Sequence, residues 1–324
     1  MKRRQAIAGL TGLAALQMPD RVWAETVLRG ADVHVDGYPT VLAVQWLGAE
    51  LERRTDGRLR LIHYPAGQLG READTLTLVR HGALALTRVT IAALNNAFPD
   101  TALLSMPYVF DDVGHLRRAL DGDPGRRLLA HLSNRGQIAL CFYDAGVRGI
   151  YNIRHPVATP ADLKGLKLRV PASDVFLTIM RRLGVNATPL AFGEVYSALQ
   201  TGLIDGAENN WMSFVSSRQF EVAKHWSSSE HSMVPDVLLL SAAVDARLQP
   251  QDRELIRDLA RQSVGVMRAA WDRALATARQ RALESGVVDT AIDRQAFAQA
   301  VEPLIAELAT GKQAGLYAAI RSLA

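Results

Sequence analysis

The sequence predicts an α/β fold in two lobes, with a cleft between them and one long helix lying across both. Three observations carry this. Strand-like and helix-like stretches alternate, as in a largely parallel sheet with helices on its faces. An apolar run, Val237–Leu240, follows a long excursion and reads as a strand returning to the first sheet, so the chain crosses between lobes twice. From about Gln251 to Ser285 the chain lacks proline and is rich in Ala, Leu, Arg and Glu. That is a helix of roughly 50 Å at 1.5 Å per residue, longer than one domain needs. Gly265 leaves a second reading open, two helices joined by a turn. The 324 residues, 48% hydrophobic and 22% charged, suit about two domains.

The elements follow in order. Lys2-Arg3-Arg4 precedes an apolar stretch from Ala6 to Leu16, and Val22-Trp23-Ala24 supplies small residues near a cleavage point. This is the pattern of a secretory signal over residues 1–24, too short to span a membrane. The paired arginines fit twin-arginine export, and an ordinary Sec signal accounts for them equally well. Tyr38-Pro39-Thr40 opens a helix through Leu51, and Gly57 ends that unit. Arg58–Tyr64 alternates as a strand, the loop Pro65–Gly70 leads into a helix Arg71–His81, and Leu84–Val89 is the next strand. Asp111–Leu120 and Pro124–Arg135 are helices, and Gln137–Tyr143 is a buried strand. The first crossover is placed near Asp144-Ala145-Gly146, followed by the short strand Val147–Tyr151, which carries Arg148.

Thr159-Pro160-Ala161-Asp162 has a capping residue, proline at the first helical position and an acid in the first turn. Leu166-Lys167-Leu168-Arg169-Val170 alternates apolar and charged residues until Pro171 ends the strand, and Ser173 caps a helix closed by Gly184. Arg169 therefore sits at a strand's C-terminal end, where open α/β sheets keep their ligand crevices. Its planar fork suits a carboxylate, to which it gives two parallel charge-assisted hydrogen bonds. A second strand and helix lead to Asp205-Gly206-Ala207-Glu208-Asn209-Asn210-Trp211, and the chain leaves this lobe near Glu230–Pro235. The expected lobes are residues 25–145 with about 236–268, and 146–235 with about 269–324.

Composition excludes several classes. The net charge is only +4 and the 37 basic residues are scattered, with no basic stripe for nucleic acid. Cys141 is the one cysteine, so no intramolecular disulfide forms. No later stretch is apolar and long enough to insert in a membrane. The eight histidines lack metal-ligand spacing, no His-Glu-x-x-His or Gly-x-Ser-x-Gly occurs, and no metal or cofactor is expected. Ala309-Thr310-Gly311-Lys312 resembles a phosphate loop only by chance, because residue 306 is alanine and residue 313 is glutamine.

Asp36-Gly37-Tyr38-Pro39-Thr40, Gly67-Gln68-Leu69-Gly70, Leu163–Arg169, Glu194–Gly202, Asp205–Trp211 and Glu230-His231 together resemble the solute receptors of tripartite ATP-independent periplasmic (TRAP) transporters, in one collinear order over nearly the whole mature chain. The resemblance implies a two-lobed periplasmic binding protein, type II-like, that closes around an organic acid anion. It would deliver that anion to the membrane permease subunits of the transporter, driven by an ion gradient. It also implies that Arg169 pairs with the ligand carboxylate, that Arg148 and Asn209 hold the same anion, and that Glu72 reaches in from the first lobe. Each has a plain alternative: an edge-strand charge for Arg148, a first-turn acid for Glu72 and a turn residue for Asn209.

The candidate ligand contacts are Arg169, Arg148, Asn209, Glu72, Arg88, Asp144, Ser173, Trp211, Glu208 and His34. Mixed cations, acids and amides fit one carboxylate with several hydroxyls better than a dicarboxylate. Trp211 is either a platform for a sugar ring's apolar face or a core tryptophan. The Ala207–Trp211 run and the segment around Arg88 resemble the sugar-acid branch, which takes uronates such as glucuronate or galacturonate. Pro171-Ala172 departs from that branch where a polar side chain is often found. A C4-dicarboxylate receptor and a ligand-sensing receptor are the alternatives, with a sugar-acid lyase behind them.

Overall fold

The structure, a computed structural model, describes residues 25–324. The expected export signal lies outside the described residues. Strands and helices are numbered in chain order. The first sheet runs β2 (Leu59–Tyr64), β1 (Thr26–Ala31), β3 (Leu86–Thr90), β10 (Asp236–Ser241) and β4 (Gln137–Tyr143). The second runs β11 (Val288–Thr290), β9 (His225–Ser232), β5 (Arg148–Asn152), β8 (Gly206–Asn209), β6 (Lys167–Val170) and β7 (Asn186–Pro189). The helices are α1 (Pro39–Arg54), α2 (Glu72–Arg80), α3 (Val113–Asp121), α4 (Asp123–Leu132), α5 (Asp174–Arg182), α6 (Val195–Gln200), α7 (Trp211–Ser216), α8 (Ala242–Asp245), α9 (Pro250–Glu284), α10 (Arg294–Thr310) and α11 (Ala314–Arg321).

The sheets are less parallel than the alternation predicts, and the crossings are the reason. Strand β1 is parallel to β2 and β3, and β6 is parallel to β7 and β8. Strand β10, arriving from the second lobe, runs antiparallel to β3 and β4. Strand β5, arriving from the first, runs antiparallel to β8 and β9. Each crossing strand enters its sheet from the cleft, so its first residue lies beside the last residues of its neighbours. Asp236 opposes Thr90 and Tyr143, and Gly149, next to Arg148, opposes Asn209. This puts two strand-initial side chains at the cleft along with the strand-final ones.

Helix α1 buries Val41, Val44, Leu47 and Leu51 on one stripe, facing α9 and β2. Helix α9 is a single helix. Gly265 lies where an added Cβ would meet nothing within 4 Å, so it neither marks a close contact nor breaks the helix. The first lobe holds α9 through Arg58 to Asp252 at 2.6 Å and through Tyr143 Oη to Ser263 Oγ at 2.6 Å. Further along, α9 packs on α7 of the second lobe. Helix α10 buries Phe297, Val301 and Leu304 and packs on α5 and β9. Helix α11 returns to the first lobe, where His115 Nε2 bonds the Ile320 carbonyl at 2.8 Å and Arg321 pairs with Asp111 at 2.7 Å.

Candidate functional site

The loops and strand ends that face each other between the lobes enclose a small polar chamber of about 40 Å³. Its walls include His34, Glu72, Arg88 and Asp236 from the first lobe and Arg148, Arg169 and Asn209 from the second. It adjoins a hollow of about 580 Å³ that shares Glu72, Arg169, Pro171 and Phe192 with it. Together they give room for a ligand beyond the chamber itself. The lobes touch around this space. Tyr38 Oη and Ser213 Oγ lie 3.0 Å apart, the His34 ring meets Phe192 edge-on at 5.1 Å, and the Asp174 amide donates to Asn96 Oδ1 at 3.1 Å.

Arg169 is the third residue of β6 and is 6% exposed. Its Nε donates to the Leu190 carbonyl at 2.8 Å, which fixes the plane of the guanidinium. No carboxylate lies within ion-pair distance of it among the described residues, in contrast to the other two buried arginines of the chamber. Burial lowers its pKa, with Glu208 and Tyr151 opposing. A buried cation without a counter-ion is costly unless something supplies the negative charge.

Arg148 has its counter-ion. Its Nε and Nη2 grip both oxygens of Glu208, and Nη2 also reaches the Glu208 carbonyl at 2.9 Å. Burial opposes the charge on each, yet Glu208 raises the Arg148 pKa, while Arg148 and His231 lower that of Glu208. Glu208 is fully buried behind Arg148 and holds it, without lining the chamber. Arg148 Nη1 donates to Asn209 Oδ1 at 3.2 Å, which also accepts from the Asn210 backbone at 2.8 Å. The Asn209 oxygen is thus engaged, and its NH2 is the group left to offer an anion.

On the first-lobe wall, Arg88 is buried among acids. It pairs with Asp32 through Nε at 3.1 Å and also through Nη2, with Glu72 at 2.9 Å, and lies 3.5 Å from Asp236. Burial resists ionisation of Asp32, but Arg88 and the hydrogen bond from the His34 amide hold its pKa down to about 2. Glu72 Oε1 also accepts from the Thr90 amide at 2.9 Å. His34 stacks on Tyr38 at 3.7 Å, and burial beside Arg88 pushes its pKa down to about 3, so it is a neutral imidazole. Burial pushes the Asp236 pKa up to about 7, with Glu72 and Asp32 adding and Arg88 opposing.

Six of the ten expected contacts come together here: Arg169, Arg148, Asn209, Glu72, Arg88 and His34. Four lie elsewhere. Asp144 is buried at the first crossover, where Arg117 at 2.5 Å and Arg268 at 3.2 Å take its carboxylate. The Ser173 side chain caps no helix; it accepts from Asn95 Nδ2 at 3.0 Å across the lobe boundary. Trp211 stacks on Trp226 at 3.8 Å and lines a separate hollow of about 680 Å³ with Trp271. Glu208 is the fourth, as already described. Asn210, read from the sequence as part of the cleft, also lines the chamber, whereas Asp236 and Asp32 were missed; the strand-initial place of Asp236 after the second crossover was the available signal. Among the described residues no group of three or more His, Cys, Asp or Glu is placed to hold a metal ion.

Residues 30–312 match the family model described as bacterial extracellular solute-binding protein, family 7. The chain belongs to that family. Its members are the periplasmic receptors of TRAP transporters, which bind small molecules and work with permease subunits. A solute-binding protein of Chromohalobacter salexigens is 35% identical over 277 residues, 85% of this chain and 82% of that one. A TRAP periplasmic solute-binding protein of Bradyrhizobium, solved with galacturonate, is 41% identical with a TM-score of 0.89, covering 92% of this chain and all (100%) of that one. Another from Pseudomonas putida F1, solved with D-glucuronate, is 32% identical with a TM-score of 0.88, covering 91% and 97%. The family-7 fold accounts for the two mixed sheets and their many helices. No described helix is long and apolar enough to cross a membrane.

Proposed function

We propose that this protein is an extracytoplasmic receptor for a sugar acid, a uronate such as galacturonate or glucuronate, which it hands to a TRAP permease for ion-gradient-driven uptake. The observation that carries the reading is Arg169, a guanidinium buried in the cleft with no carboxylate of the described residues beside it. The ligand carboxylate is its counter-ion. Asn209 NH2 and the outer edge of Arg148 complete the anion seat on the second lobe, and Glu72 faces the ligand from the first. Hydroxyls then have both kinds of partner, carboxylate acceptors at Glu72 and guanidinium or amide donors at Arg148 and Asn209. Related structures with galacturonate and glucuronate bound support the sugar acid over a C4-dicarboxylate.

The mechanism follows from which lobe holds what. The crossovers near residues 144–147 and 233–236, with α9 alongside, are the hinge between two units. A ligand held by Arg169 and Asn209 on one side and Glu72 on the other binds the closed state better than the open one. That differential affinity is what shifts the population. The protein is a receptor and not an enzyme on this reading. Residues 1–24 direct its export and are removed. A thermal-shift screen against uronates, aldonates, C4-dicarboxylates and α-keto acids tests the proposal, since a ligand that binds only the native state raises Tm by mass action. Stabilisation by galacturonate or glucuronate is the expected result. Stabilisation by malate or succinate alone would overturn the sugar-acid choice.

A further inference from the structure

The cleft is electrically lopsided. On the second-lobe wall, Arg148 and Arg169 face one acid, Glu208, which is wholly engaged by Arg148. On the first-lobe wall the ratio is reversed, with Arg88 surrounded by Asp32, Glu72 and Asp236. Two of those acids have partners. Asp32 is locked by Arg88, the His34 amide and the Thr40 hydroxyl at 2.9 Å. Glu72 is held by Arg88 and the Thr90 amide.

Asp236 differs from both. It is 2% exposed and lines the chamber, and its Oδ2 is buried without a hydrogen-bond partner among the described residues. Its nearest cation, Arg88 Nη1 at 3.5 Å, donates instead to Glu72 at 2.9 Å. A carboxyl that is buried, facing a ligand space and unsatisfied calls for a partner from the ligand. A ligand hydroxyl meets that need, and a ligand carboxylate does not.

We propose that Asp236 sets the ligand class of this cleft: from the first-lobe wall it bonds a ligand hydroxyl and turns away any ligand that brings a second carboxylate to that end. The inference rests on the sugar-acid reading and adds the residue that separates a uronate from the corresponding aldarate. The groups facing Asp236 are Arg88 on β3, Glu72 at the start of α2, Asp32 after β1, Tyr38 before α1 and Arg148 on β5. Its pKa, raised to about 7 by burial with Glu72 and Asp32 adding, places the change from hydroxyl-bonding neutral acid to repelling anion between pH 5.5 and 8. His34, whose pKa burial beside Arg88 pushes down to about 3, stays neutral over that range.

Calorimetric titration with D-galacturonate and D-galactarate, at pH 5.5 and pH 8, on the wild type and on Asp236→Asn, tests this. Galactarate carries a second carboxylate, on an open chain, where galacturonate has the anomeric hydroxyl of its ring, and it remains a dianion at both pH values. The ring-to-chain difference is the same in both proteins and at both pH values, so the changes in the ratio report the charge. Wild type at pH 8 should favour galacturonate by about 100-fold or more, since like charges brought together cost several kcal/mol. In Asp236→Asn that preference should shrink by about tenfold or more. Acidification should strengthen galactarate relative to galacturonate in wild type and leave the ratio flat in the variant. Galacturonate binding by wild type reports on the sugar-acid reading alone, and the ratio reports on Asp236. An equal ratio in both proteins, or a wild-type ratio indifferent to pH, overturns the proposal even where galacturonate binds. The wild-type pH arm needs no folded variant.

Discussion

Replacing Arg169 by alanine should separate its role in binding from any role in stability. Arg169 is 6% exposed, and its one hydrogen bond among the described residues runs from Nε to the Leu190 carbonyl at 2.8 Å. Removing it leaves that carbonyl without its donor, a loss of about 1 kcal/mol. It also removes a buried charge that has no counter-ion, which is a gain. The ligand-free Arg169→Ala protein should therefore unfold in urea within about 1 kcal/mol of wild type. Binding should suffer instead, by about 2–5 kcal/mol or roughly thirty- to several-thousand-fold, because the ligand's buried carboxylate loses its cation. Arg169→Lys keeps the charge but loses the fork and the Leu190 bond, so it should also bind weakly. Calorimetry with galacturonate and a urea melt without ligand measure the two effects. Unchanged affinity, or a loss of ligand-free stability above about 3 kcal/mol, would refute the reasoning, since the latter is what a paired structural arginine gives.

Arg148→Ala should behave in the opposite way, lowering ligand-free stability by about 3–5 kcal/mol because it strands the fully buried Glu208; an unchanged urea midpoint would sink that account. Asp236 carries a pH signature in stability. Its folded pKa of about 7 lies above the unfolded value near 3.9, so its contribution is present below about pH 4 and is lost as pH rises through 7. Asp236→Asn removes that loss, so the variant should gain on wild type between pH 4 and 7, by up to about 4 kcal/mol, and no further above it. Parallel Tm curves for the two proteins would contradict this. Gly146→Ala should destabilise by about 1–3 kcal/mol, since residue 146 has φ +68° and an added Cβ would come within 2.5 Å of the Trp271 ring; an unaltered Tm would mean that the crossover relaxes freely.

Much of the fold was legible because its elements are written in local pattern. Gln137–Tyr143 reads as a buried strand and is one, and the proline-free run after Gln251 is the single helix α9. Strand β1 was missed, since Thr26-Val27-Leu28-Arg29-Gly30-Ala31 has one exposed and several buried apolar positions without clean alternation. Gly30 is small there for a non-local reason, the His63 ring that an added Cβ would meet at 3.1 Å. The C-terminal helices α10 and α11 were left undescribed, their placement being set by partners far away, such as His115 for Ile320. At the site, Arg169 was legible from its strand-end position and Asn209 from the family resemblance, and both line the chamber. Asp144 and Trp211 were drawn in by proximity in sequence, yet their partners, Arg117, Arg268 and Trp226, come from other elements. Asp236 was missed for the converse reason. It is a lone acid before an apolar strand, and only the return of that strand to the cleft places it beside Arg88.

The most direct test of the central claim is a crystal structure of the protein with D-galacturonate bound. The account predicts one sugar acid between the lobes, its carboxylate on the free edge of Arg169 with Asn209 beside it, and its far hydroxyls toward Glu72 and Asp236. A carboxylate seated against Arg88, or a ligand in the hollow beside Trp211 and Trp271 with the chamber at Arg169 empty, would contradict it.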